Sequence, residues 1–156
     1  IGYSIGSAPI ISYNYGAQNT EELKNVFKKS MVISSISGIC LSALAQALAV
    51  PMARIFVRND PELFNLTVHA FRLFSFGFAF TGITIFASGF FTALNNGLIS
   101  AILSFARSIV FQITPVLVLP LLLGVDGIWY SFLTTEACAF VVSVSFFLAE
   151  KKRYGY

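Results

Sequence analysis

Charge is scarce in this sequence. Ten Lys and Arg with seven Asp and Glu make up only 11% of 156 residues, against 56% hydrophobic residues. A soluble domain of this size could not keep its surface solvated with so few charges, which excludes that class. Cysteine is scarcer still. Cys40 and Cys138 are the two present, each inside an apolar run, too few for a disulfide or metal framework, so both read as packing residues. His69 is the single histidine, without Cys, His or paired acids nearby, and implies no metal site. No Ser/His/Asp set, phosphate-cradling glycine loop or dinucleotide fingerprint is present, so an enzyme reading has no support. A basic leader with a cleavage site is also missing. The chain opens at Ile1 already inside an apolar segment, and the expectation is a fragment beginning partway through a helix.

The few charges are segregated. Residues 1–20, 30–53, 73–106 and 108–125 carry none, and Glu136 is the only charge between Gly127 and Ala149. Uncharged apolar runs of about 17 residues or more read as membrane spans. Turn signals set their limits. Asn19-Thr20-Glu21-Glu22 has the form of an N-cap with an acidic first turn, and Asn59-Asp60-Pro61-Glu62 that of a cap with proline at the first helical position. Asn95-Asn96-Gly97 and Gly124-Val125-Asp126-Gly127 are tight turns. The expected fold is an all-α integral membrane protein with five transmembrane helices, over about 1–15, 30–53, 71–94, 99–123 and 128–149.

Lys and Arg orient these spans. Lys24, Lys28 and Lys29 share a side with Lys151, Lys152 and Arg153, whereas Arg54, Arg58 and Arg72 fall opposite and read as interface anchors. The bias is expected to place the C-terminus in the cytoplasm, and the expected location is the plasma (inner) membrane. The bias also accounts for the net charge of +3 without nucleic acid as a partner. Asn65-Leu66-Thr67 matches a glycosylation triplet, a pattern common by chance.

Small and polar residues run along the third span at Gly77, Thr81, Thr84, Ser88, Thr92 and Asn95. Their steps of three and four place them on one helical face. Two readings stand beside each other: a cavity-lining face, with Phe76, Phe78, Phe80, Phe86, Phe90 and Phe91 meeting flat ligands, or a close helix-packing face. Gly2-x-x-x-Gly6 and Ser34-x-x-x-Gly38 read as packing. The fourth span carries a second stripe, Ser100, Ser104, Arg107, Ser108 and Gln112, followed by Pro115 and Pro120, which should bend its outer half, as Pro9 should bend the first span.

Arg107 and Glu136 are the charges placed well inside spans. At about 1.5 Å per residue each lies ~12 Å from an opposite membrane face, leaving ~6 Å of depth between them. Helical side chains lean toward their own N-terminus, so on antiparallel spans these two should lean apart. Arg107 is then expected to snorkel to the headgroups. Glu136 is either a carboxyl kept protonated by apolar surroundings or a proton-coupled site in a cavity.

Several runs resemble the multidrug and toxic compound extrusion (MATE) transporters: Gly6-Ser7-Ala8-Pro9-Ile10-Ile11-Ser12-Tyr13-Asn14-Tyr15-Gly16-Ala17-Gln18-Asn19, Phe74 to Gly82 with Ser88 to Gly97, and Gly124 to Trp129. The resemblance covers nearly the whole chain. It implies part of the C-terminal lobe of a twelve-helix, two-lobe transporter, partnered by an N-terminal lobe of the same chain. The implied activity is antiport of amphipathic or cationic small molecules, including drugs, against H+ or Na+. No resident cofactor is implied, and the coupling-ion site would lie mainly in the other lobe. One branch of that family carries a cation-binding carboxylate on its tenth helix, whereas span 71–94 has no Asp or Glu. The rival readings are a lipid-linked oligosaccharide flippase of related architecture and a non-transporting five-span scaffold.

Overall fold

The computed structural model describes residues 1–57 and 60–156; Arg58 and Asn59, expected as an anchor and a turn residue, lie outside the described residues. Helices account for nearly all of the rest: α1 (Gly2–Gly16), α2 (Thr20–Phe56), α3 (Pro61–Ser75), α4 (Phe78–Ala93), α5 (Gly97–Phe105), a π-helical segment (Ala106–Val110), α6 (Phe111–Leu123) and α7 (Val125–Tyr154).

Their starts follow from local chemistry. The first N–H groups of a helix have no intrahelical acceptor, so a side-chain oxygen must supply one. The Asn19 side chain accepts from the Glu22 N–H at 3.1 Å, Asp60 from Glu62 and Leu63 at 3.0 Å each, and Asn96 from Ile99 at 3.2 Å. Pro61 follows Asp60 at the first helical position. Gly124, at φ 62°, reverses the chain between α6 and α7.

The crossings differ from the expected spans in extent. Four stretches are long and apolar enough to span a bilayer: Thr20–Phe56, Pro61–Ala93, Gly97–Leu123 and Val125–Tyr154. The α2 helix absorbs the basic segment that was set outside the second span, because no helix breaker separates Thr20 from Phe56 and Pro51 is accommodated inside. Residues 61–70, expected as a separate outer segment, run straight into the third crossing, which bends at Phe76–Gly77. The Phe132 ring fills the space that a Cβ at Gly77 would need. Helix α1 begins at the second residue of the sequence and contributes 15 residues, the expected first span.

Close backbone approach holds α2 against α4. A Cβ on Gly38 would lie 2.8 Å from the Ala79 carbonyl oxygen, and one on Gly82 would lie 2.7 Å from that of Ser34. In lipid such small-residue contacts carry association that the hydrophobic effect cannot. Ser34 and Gly38 therefore pack as expected. Gly2 and Gly6 do not, since both are exposed with nothing above them. The α6–α7 hairpin uses the same device. Gly127, Ser131 and Thr135 are buried at four-residue steps, and Gly127 sits directly on the Leu119–Pro120 backbone.

An aromatic core closes the end that holds the C-terminus. Phe27 lies 5.0 Å from both Phe90 and Phe147, and Phe91 stacks on Phe147 at 5.6 Å. Tyr156 joins them, its hydroxyl donating to the Phe147 carbonyl at 3.1 Å, and burial pushes its phenol well above the usual range. Phe86, Phe90 and Phe91 are thus buried in this core. Outside the core, α6 presents Leu117, Leu121 and Leu122 with nothing against them, a surface that belongs in hydrocarbon.

Replacing Gly82 by Leu should destabilise the full chain by at least about 1–3 kcal/mol, because the obstructing atoms are backbone and cannot rotate away. Gly97→Ala, where a Cβ meets nothing within 4 Å, serves as the control. Thermal unfolding in detergent checks both.

Candidate functional site

Glu136 is the one acidic side chain drawn fully into the bundle, at 1% exposure. It lies on the α7 face that continues from Thr135 toward Ala139 and meets α4 and the π segment. Even on a lenient scale a charge at the centre of a span costs about 2.5–3.5 kcal/mol, so it requires a partner.

That partner is Arg107. Its Nη2 and Nε donate to Glu136 Oε1 at 2.6 and 3.0 Å. The expectation that the two lean apart, with Arg107 reaching for headgroups, is overturned. The lean presumed a regular α-helix, whereas Arg107 sits in the π segment, where the Phe111 N–H bonds five residues back to Ala106. A π turn changes the direction of the residues it holds relative to the helix on either side. The flexible arginine stem supplies the remaining reach. The other carboxylate oxygen, Oε2, accepts from the Thr84 hydroxyl at 3.0 Å, which also lies 3.1 Å from the Thr81 carbonyl.

The sequence-selected residues divide around this pair. Thr84 touches it. Ser88 lies one turn along α4 and meets the hydroxyls of Ser104 at 2.7 Å and Ser100 at 3.1 Å; Thr92 meets Ser100 at 2.6 Å. Thr84, Ser88, Ser104, Arg107 and Ser108 line an open cleft of about 240 Å³, with Ile85 and Leu103 as apolar walls. Thr81 lies elsewhere, lining an apolar crevice between α2 and α4, and its hydroxyl bonds back to Gly77. Gly77 packs on Phe132. Gln112 is exposed on α6 and does not join the cluster. The α4 stripe is therefore a packing face at its start and a polar, cleft-lining face from Thr84 onward.

The sequence reading missed how α6 is completed. Pro115 has no N–H to return to the Phe111 carbonyl, and the Thr135 hydroxyl reaches that oxygen from α7 at 2.5 Å. Ser131, one turn earlier, reaches the Pro115 carbonyl at 3.0 Å. The signal was present as Gly127, Ser131 and Thr135 at four-residue steps opposite a proline.

Four bilayer-length helices around an ion pair with a buried carboxylate define an all-α integral membrane protein. The chain belongs to the MatE family, whose model matches residues 1–118, which makes it a membrane transporter of the MATE type. No curated protein and no solved structure matches the chain.

Thr135→Val should cost about 0.6–1.7 kcal/mol, the range for interhelical hydrogen bonds in membrane proteins. Thr135→Ser, which keeps the hydroxyl, should retain most of that stability. Denaturant unfolding in mixed micelles distinguishes them.

Proposed function

We propose that the chain works as part of the C-terminal lobe of a secondary exporter, moving small amphipathic or cationic compounds out of the cell in exchange for protons. The observation that carries this reading is Glu136: a buried carboxylate with Arg107 as its charged neighbour, bordering a polar cleft. The crossing helices α4, α5 and α6 contribute no other charge. On α3, His69 pairs with Asp126 at 3.3 Å near the opposite end.

A proton suits this carboxylate better than Na+ does. A metal cation needs several oxygen ligands, whereas one Glu136 oxygen is held by a guanidinium that repels cations and the other by Thr84. Proton uptake would neutralise the carboxylate and release Arg107, changing the polarity of the cleft and the balance of forces on the π segment. Alternation between two such states is what coupled export needs, with a facing lobe of the same protein completing the cavity. The basic residues on the C-terminal side favour a cytoplasmic C-terminus in the plasma membrane. A pyrophosphate-linked cargo fits less well, because Arg107 already spends its charge on Glu136.

Glu136→Gln in the full-length protein should flatten the pH dependence of efflux from everted vesicles while leaving expression normal. An unchanged pH profile at normal expression would reject proton coupling at this residue.

A further inference from the structure

The polar groups around Glu136 are distributed unevenly. Toward the end that holds Asn96 and Tyr154, which bond to each other at 2.8 Å, hydroxyls follow at every turn. Thr84 contacts the carboxylate, and the cleft it shares with Ser88 has room for several waters. The hydroxyls branch at Ser88: Ser104 lies 2.7 Å from it, and Ser100 lies 3.1 Å from it and 2.6 Å from Thr92. Thr92 is one turn from the Asn95–Gly97 reversal. Ser104 and Ser108 are exposed on the same side.

Toward the opposite end the next hydroxyl on α4, that of Thr81, turns back to the Gly77 carbonyl at 3.0 Å, and no hydroxyl-to-hydroxyl series continues from it among the described residues. The hydroxyls of Ser131 and Thr135 are buried against backbone carbonyls, Ser131 between those of Gly127 and Pro115 and Thr135 at that of Phe111. Gly127 rests on the α6 backbone with no gap for water. On the α3 side Phe74 stacks on Phe132 at 4.0 Å and 11°, closing that approach with two rings.

We infer that Glu136 exchanges protons and water through Thr84, the cleft it shares with Ser88 and Ser104, and the Ser88–Ser100–Thr92 series, from the end carrying the Lys151–Arg153 tail. The inference rests on the proton-coupling reading above and adds to it a direction of access in the state described. A proton arriving from water at that end passes by water and hydroxyl exchange to Oε2 of Glu136 and returns by the same route. The opposite end stays dry until the helices rearrange. Arg107 is the one charged group facing the carboxylate from α4, α5, the π segment or α6 among the described residues.

Single cysteines test this in the full-length protein, with Cys40 and Cys138 replaced by Ser and a membrane-impermeant thiol reagent applied to either face. S88C, S104C and T92C should react several-fold faster with reagent on the side of the Lys151–Arg153 tail. S131C and T135C should stay unmodified from both sides. Equal reaction of S88C and S104C from both faces, faster reaction from the opposite face, no reaction at S104C and T92C, or reaction of S131C as fast as S104C would each overturn the inference. Because labelling needs no transport, its outcome is separate from that of the Glu136→Gln pH profile. A profile unchanged by that substitution, with the labelling asymmetry intact, would reject coupling and leave the access route standing.

Discussion

A carboxylate inside an apolar helix bundle has to be neutralised where it sits, and that requirement organises the middle of this protein. Glu136 fixes the position of Arg107, and Arg107 reaches it from a π turn. Thr84 then has to face the second carboxylate oxygen, which sets the rotation of α4 about its axis. Three crossings are thereby locked in register by one charged group and its three short hydrogen bonds. Removing Arg107 alone would leave the buried Glu136 uncompensated, a loss of about 3–5 kcal/mol in other proteins, whereas Arg107, 29% exposed at the cleft, tolerates the loss of Glu136 better. The same feature makes the site responsive, since a proton on the carboxylate removes the reason for the geometry.

Around this centre the bundle is held by backbone proximity rather than by apolar burial, because lipid is as apolar as leucine. Gly38 and Gly82 bring α2 onto α4, and Gly127 brings α7 onto α6. Pro115 then shows how backbone groups are satisfied away from water. The carbonyl it leaves without a donor is supplied by Thr135 from the neighbouring helix. A helix bent by proline and held by side-chain hydroxyls is easier to rearrange than one closed by its own N–H groups.

Much of the architecture could be read from residue order. Uncharged runs located the crossings, and Asn19, Asp60 and Asn96 cap the helices as their types require. Periodicity put Thr84 and Ser88 on one face with Gly77 and Thr81 and could not separate them, since one helical face can pack at one end and line a cleft at the other. The surroundings of the aromatic residues were illegible for a related reason. Phe90 and Phe91 have the composition of a drug-binding wall, yet partners far along the chain, Phe27 and Phe147, enclose them. The ion pair was disfavoured because the direction of a side chain was taken from regular helix geometry. Nothing in Ala106–Val110 announces a π turn, and that turn is a tertiary outcome of where Glu136 must be met.

The central claim is that Arg107 and Glu136 act as one unit, and a double-mutant cycle measures this most directly. The full-length protein would be compared with R107M, E136Q and the double variant by reversible unfolding in mixed micelles. The structure predicts that the double variant loses clearly less stability than the two single losses added together, with a coupling of at least about 1 kcal/mol. Single effects that add to within about 0.5 kcal/mol would mean the two residues do not interact, and the account built on their contact would fail.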